Sequence, residues 1–335
     1  MLELTADNAL DYLRHQGWID AGPARVEPLG WGVSNLVLRV VTTGLTFVLK
    51  QSRPQLRTRD TWISDIERIY REQEVMELLH ALLPAPIVPE ILVSDRANFV
   101  FAMSHAPQPS QVWKETLLAG QVDLEVAERA GKILGQMHEC TARTPSLVER
   151  FADHHVFEQL RIEPFYLRIQ ERRPEVAEAI EPIVNRLRTR KLALCHGDFS
   201  PKNILTHAQG FTLVDYETAH FGDPTMDLGF FLSHLMLKAI KFFPVQERYF
   251  ELTRAFWRGY EQVIGFRSLE QLQREAIEHM AACIMARIDG TSPVDYLPEE
   301  SKREAVRRLG RRLLWERPAN WETVLGLCET CLNGS

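Results

Sequence analysis

The chain has 335 residues, 45% of them apolar and 25% charged, with a formal net charge of −6. That length allows two lobes with a large core, and the mild acidity favours neither a nucleic-acid partner nor an anionic membrane. No apolar stretch approaches a spanning helix, the start is not a signal peptide, and five scattered cysteines suit a reducing compartment, so a cytoplasmic protein is expected.

Residues 5–17 read as a helix, with Thr5 as cap, Ala9, Leu10 and Leu13 as apolar stripe and Gly17 as stop. A strand from Val26, a glycine-containing turn and a second strand to about Val41 follow. Thr42-Thr-Gly44 then turns the chain into a third strand over 45–50. The loop Gly30-Trp-Gly32-Val-Ser34-Asn35 offers backbone amides that can cover nucleotide phosphates. Lys50 can reach the α and β phosphates as a point charge.

Residues 65–83 are expected as a helix that buries Ile69, Val75, Met76, Leu79 and Leu82. Glu72 and Glu74 are both candidates on it to pair with Lys50. A proline-rich stretch over 84–89 ends the helix, and a hairpin follows around Asp95-Arg-Ala. Residues 104–109 read as a linker. The expected division is a nucleotide-binding lobe over 1–105 and a helical lobe over 106–335, the latter carrying the catalytic hairpin and the acceptor site.

Beyond the linker the pattern is helical apart from one hairpin. Residues 123–140 carry Leu124, Ala127, Ile133, Leu134 and Met137, with His138 read as structural. Helices broken at Pro164, Pro174 and Pro182 are expected over 151–190, and further helices over 230–240, 246–263, 269–287 and 301–315. Arg287 precedes the helix-stopping Asp289-Gly290. Two readings stand for it: a guanidinium that faces the cleft and fixes a polar or anionic acceptor, or a surface arginine favoured by the helix dipole. Cys328-Glu-Thr-Cys331 is a lone C-x-x-C, without the second pair that a zinc site needs.

The segment 194–229 carries the chemistry. Apolar runs over 203–206 and 211–214 flank a four-residue turn, His207-Ala-Gln-Gly210, and read as a β-hairpin. The hairpin gathers Asp198, Asn203, Asp215 and Glu217 at one end. Carboxylates placed together repel, and a hard divalent cation resolves the conflict; Mg2+ brings phosphates with it. The D-x-x-x-x-N spacing from Asp198 to Asn203 matches a catalytic base and metal ligand of kinase loops, and Asp215 takes the place of the second metal ligand.

These residues resemble the aminoglycoside phosphotransferase and choline kinase superfamily. His196-Gly-Asp198 through Asn203 is similar to its catalytic loop, and Asp215-Tyr-Glu217 to its metal-binding D-x-E. Gly222-Asp-Pro224 with Asp227 is similar to the segment that follows, and Gly32-Val-Ser34-Asn35 to the phosphate-covering loop. The resemblance implies an α+β, bilobal, protein-kinase-like fold with a small antiparallel-sheet N-lobe and a larger, mostly helical C-lobe. It selects Glu72 as the partner of Lys50, because Arg71-Glu72, Met76 and Leu79 match the family's helix pattern. By position it places adenine against the backbone beside Met103.

Two stretches are similar to 5-methylthioribose kinase: Lys50-Gln51, Pro54, Arg57, Trp62, Asp65 and Arg68, and the turn Ala286-Arg287-Ile-Asp-Gly290. Ala286 stands where that enzyme has the first of two arginines. The implied function is ATP- and Mg2+-dependent transfer of a γ-phosphoryl group to a hydroxyl of a small molecule: a sugar, a methylthioribose-like compound, an amino alcohol or an aminoglycoside. Asp198 is the expected base, Asn203 and Asp215 the metal ligands, and Glu217 supports the metal directly or through water. The alternative is a silent nucleotide-binding module acting through partners; the complete acidic set argues against it. The acceptor's identity and the oligomeric state stay open.

Overall fold

Strand alternation decides what each face of the first sheet meets. In the computed structural model, which describes residues 2–30, 35–53, 65–142 and 144–334, β1 (Ala24–Pro28), β2 (Asn35–Thr42), β3 (Thr46–Ser52), β4 (Ile91–Asp95) and β5 (Val100–Ser104) form an antiparallel sheet in the order 1-2-3-5-4. One face buries Leu38, Val40, Phe47, Leu49, Val100 and Ala102 under Leu4, Ala9, Tyr12 and Leu13. Successive side chains on a strand point to opposite faces. Lys50, next to Leu49, is therefore turned away from that cluster and toward helix α2 (Arg68–Leu82). Gln51 returns to the first face, where its Oε1 accepts from the Leu4 amide at 2.9 Å.

Helix α1 is shorter than expected, Ala9–His15. Thr5 caps the turn that leads into it: its Oγ1 accepts from the Asn8 amide at 3.3 Å, its amide donates back to Asn8 Oδ1 at 2.8 Å, and its carbonyl accepts from the Ala9 amide at 3.1 Å. Gly17 does end it, at φ +69°, and the Trp18 amide donates to the Leu13 carbonyl. Helix α2 buries Ile69, Val75, Met76 and Leu79 as expected, but Leu82, the last residue of the helix, is exposed. Pro54, Arg57 and Trp62 of the methylthioribose-kinase-like stretch lie outside the described residues, as do Gly32 and Ser34.

The chain divides into two compact units, Met1–Ser110 with His207–Glu217, and Gln111–Thr206 with Thr218–Ser335. The division corrects the expectation that the whole hairpin belongs with the helices. Its strands are β7 (Ile204–His207) and β8 (Gly210–Leu213), and the turn between them has two residues rather than four. Strand β8 joins the first unit through backbone bonding. The Leu213 amide donates to the Ile87 carbonyl at 2.7 Å, and Thr212 Oγ1 to the Pro86 carbonyl at 2.9 Å.

The second unit is mostly helical, with α3 (Leu124–Ala142), α4 (Ala177–Thr189), α5 (Thr225–Lys241), α6 (Glu247–Glu261), α7 (Leu269–Asp289), α8 (Glu300–Glu316) and α9 (Trp321–Asn333). Pro164 and Pro182 do not break their helices. Pro164 sits inside a π-helical run, Glu158–Leu167, and Pro182 inside α4. Helix α9 was not expected; it contains Cys328 and Cys331, both buried and neither in a disulfide. Helix α5 is buried from Thr225 to Ile240. Strands β6 (Ala193–Cys195) and β9 (His220–Gly222) pair antiparallel and bring the chain to His196. Among the described residues, no helix is long and apolar enough to cross a membrane.

Candidate functional site

In the first unit, Lys50 stands at the centre of a buried charge cluster. Its Nζ donates to Glu72 Oε1 at 2.7 Å and to Asp215 Oδ1 at 3.0 Å. The Tyr216 amide donates to the same Glu72 oxygen at 3.2 Å, which ties the residue after Asp215 to α2. Glu217 Oε2 accepts from Asn35 Nδ2 at 2.8 Å and from Arg68 Nε at 3.0 Å. Asp215 adopts a left-handed φ of +73°, unusual for a residue with a β-carbon.

Glu72 and Asp215 thus share Lys50, while Glu217 pairs with Arg68. Burial works to lower the Lys50 ammonium, yet Asp215, Glu72 and Glu217 hold it above the ordinary lysine range. Burial pushes the Glu72 carboxyl up to about 7 against the pull of Lys50, with Asp215 and Glu217 adding to the rise.

In the second unit, Asp198 is buried at 3% exposure and its two oxygens are divided between donors. Arg161 Nη2 lies 2.8 Å from Oδ1, Lys202 Nζ lies 2.8 Å from Oδ2, and Asn203 Nδ2 donates to Oδ2 at 3.0 Å. Asn203 Nδ2 also donates to the Asp198 carbonyl at 2.9 Å. With the amide nitrogen so committed, Oδ1 of Asn203 is directed away from Asp198.

The backbone before Asp198 is fixed by Asp227, in the first turn of α5. Its carboxylate accepts from the His196 amide at 2.7 Å and the Gly197 amide at 2.8 Å, and His138 Nε2 lies 3.3 Å from it. Burial works to raise the Asp227 carboxyl, but the His138 contact and these donors hold it below the usual range. Gly197 has φ +76°, and a β-carbon there would lie 2.6 Å from the Thr218 carbonyl oxygen, so the turn requires glycine.

Among the expected residues, Lys50, Glu72, Asn35, Asp215 and Glu217 come together in the first unit, and Asp198 with Asn203 in the second. Glu72, rather than Glu74, bonds Lys50. Met103 is buried on β5, opposite Val48. Arg287 is half-buried in the last turn of α7, where Nη1 donates to the Ser292 carbonyl at 2.6 Å and the Asp198 charge acts on it. Sequence reasoning missed Arg161 and Lys202 as partners of Asp198, and Arg68 as a partner of Glu217. Lys202 had a signal, four residues after Asp198. Arg161 had none, because only the packing of the π-helical run delivers it.

The sequence model described as the phosphotransferase enzyme family matches residues 25–266. A methylthioribose kinase of Exiguobacterium sibiricum is 24% identical over 304 residues, which cover 82% of this chain and 76% of that one. Methylthioribose kinase 1 of Oryza sativa subsp. japonica is 24% identical over 244 residues, 63% of this chain and 56% of the rice protein's length. Among solved structures, amicoumacin kinase hAmiN in complex with AMP-PNP, Ca2+ and Ami superposes with a TM-score of 0.54 at 14% identity, covering 94% of this chain and 96% of that one. At that identity the likeness speaks for the fold, an α+β protein-kinase-like one.

Proposed function

Because the chain belongs to the phosphotransferase enzyme family, it is a small-molecule kinase, and we propose that it moves the γ-phosphoryl group of ATP to a hydroxyl of its acceptor. The observation that carries this reading is the set Lys50, Glu72 and Asp215, a buried cation held in place by two carboxylates. In this reading Lys50 holds the α and β phosphates, with Glu72 fixing its ammonium on the sheet. Asn35 belongs to the phosphate-covering loop together with Gly32 and Ser34, and the backbone beside Met103 meets adenine.

The donor set suits Mg2+. Asp215, Glu217 and Asn203 offer the hard oxygen ligands that this ion takes. When bound with ATP, Mg2+ supplies compensation for phosphate charge. Asn203 would hold it through Oδ1 and Asp215 through its carboxylate. Glu217, already shared by Asn35 and Arg68, supports the ion directly or through water.

Asp198 accepts the hydrogen bond of the attacking hydroxyl and takes its proton. Arg161 and Lys202 fix the carboxylate's direction, so the hydroxyl is oriented before transfer. Phosphoryl transfer asks for positioning and charge compensation more than for covalent chemistry, and these residues supply both. A coupled ADP-release screen over sugars, amino alcohols, hydroxy acids and aminoglycosides tests the reading. Acceptor-dependent ADP release that Asp198→Asn removes is the expected result. Tight nucleotide binding with no acceptor-dependent release would favour the silent module instead.

A further inference from the structure

We propose that the acceptor carries an anionic group, a carboxylate or a phosphate, which seats against Lys238, His234 and Arg287 in the helical unit. The proposal rests on the kinase reading and names the substrate class of that same acceptor site.

Lys238 is the starting observation. It lies on α5 at 0% exposure, and among the described residues no carboxylate lies within ion-pair distance of it. Its Nζ donates to the His234 carbonyl at 3.1 Å and sits 5.5 Å from the Tyr296 ring centre. An ammonium has three donors, and this accounts for one of them. Buried charges are ordinarily paired, so a lysine in this position lacks a counter-charge.

Polar atoms around it are unpartnered too. His234 Nε2, Arg287 Nε and the Tyr296 hydroxyl are buried without a hydrogen-bond partner among the described residues. Arg287 uses Nη1 on Ser292, which leaves Nε aimed elsewhere. Burial, then Lys114 and Arg287, push the Lys238 ammonium down to about 7. Burial, then Lys238, Arg287, Lys202 and Lys114, hold the His234 ring well below its ordinary value. Burial is the larger cause for both groups, and the neighbouring cations add to it.

The cluster adjoins the proposed base. Arg161, which pairs with Asp198, lies 5.5 Å from the centre of the Phe230 ring, and that ring lies 5.0 Å from the ring of His234. An acceptor whose hydroxyl meets Asp198 therefore places its neighbouring atoms among these donors. An oxyanion satisfies Lys238, His234 and Arg287 together. A quaternary ammonium or a polyamine meets like charge instead. A neutral sugar leaves the buried ammonium uncompensated.

Matched acceptors give the test in the coupled assay: glycerol against D-glycerate and glycerol 3-phosphate, ribose against ribose 5-phosphate, and ethanolamine against serine. Turnover should favour the anionic member of a pair by about tenfold or more in kcat/KM, the effect of one charge-assisted hydrogen bond. The glycerate and glycerol 3-phosphate arms tell carboxylate from phosphate. Lys238→Met should raise the KM of that acceptor by about tenfold or more while the KM for ATP moves less than about twofold. Arg287→Gln serves as the second variant if Lys238→Met does not fold. Calorimetric titration of inorganic phosphate and of D-glycerate into the nucleotide-free protein reads the anion site separately from catalysis. Binding that Lys238→Met abolishes, without ADP release from any acceptor, would support the anion site and reject the kinase reading. Equal turnover of neutral and anionic partners, an unchanged acceptor KM in the folded variant, or no binding of either anion together with no turnover would overturn the proposal.

Discussion

Asp198 and Asp215 are both acidic, yet their surroundings assign them different work. Asp198 is held by Arg161, Lys202 and Asn203, while Asp215 is bound to Lys50. Asp198→Asn keeps the shape of the side chain and removes the proton acceptor. Turnover should fall by about two to four orders of magnitude, the usual worth of a general base, with nucleotide affinity kept. Steady-state kinetics on the purified variant checks this, and near-parent turnover would reject the role. Asp215→Ala should act on binding instead, since it removes an oxygen ligand and leaves phosphate charge uncompensated. Calorimetry with AMP-PNP and Mg2+ should show weakened affinity. Equal affinity in variant and parent would move the ion elsewhere.

At the scale of elements, α3 and α6 cross at two glycines. A β-carbon on Gly131 would lie 1.9 Å from the Phe256 carbonyl oxygen, and one on Gly259 would lie 1.9 Å from that of Glu128. Backbone cannot yield as a side-chain tip does, so either addition must push the helices apart. Gly131→Val and Gly259→Val should each destabilise the helical unit by about 1–3 kcal/mol or more, as overpacking does. Gly326→Ala on α9 is the control, because a β-carbon there meets nothing within 4 Å. Urea melts that rank all three variants alike would show that the crossing is not tight. The same crossing positions His138, whose ring lies between Tyr260 and Asp227, and so connects helix packing to the loop that carries Asp198.

For the whole molecule, the uncompensated lysine gives a pH dependence with a definite sign. Lys238 titrates at about 7 in the fold, against about 10.4 in an unfolded chain. Its neighbours are His234 on α5, Lys114 and Arg287 as cations, and the Tyr296 ring. Between these two values the unfolded chain holds the extra proton, so Lys238 adds a rise of stability with pH. That slope is at most about 1.4 kcal/mol per pH unit. Lys238→Met should flatten it and raise stability most at neutral pH. Urea unfolding of parent and variant at pH 7, 8 and 9 measures the difference. A variant less stable than the parent at pH 7 would mean that the ammonium is paired.

The catalytic segment was legible because its chemistry is local in the chain. His196-Gly-Asp198, Asn203 and Asp215-Tyr-Glu217 fall within one short stretch, and their spacing carries the chemistry. The five strands and most of the helices were legible too, since periods of 2 and 3.6 are properties of the sequence itself. Proline was misread at Pro164 and Pro182, because a proline's cost to a helix depends on where the displaced carbonyl finds a partner. Tertiary structure decided which glutamate meets Lys50, for Glu72 and Glu74 differ only in the helix face they occupy. It decided that β8, Asp215 and Glu217 join the sheet unit, because the bonds of Leu213 to Ile87 and of the Thr212 hydroxyl to Pro86 lie outside any local pattern. It alone set Arg161 on Asp198 and surrounded Lys238 with cations, since charges distant in sequence act on one another only once packing has removed the water between them.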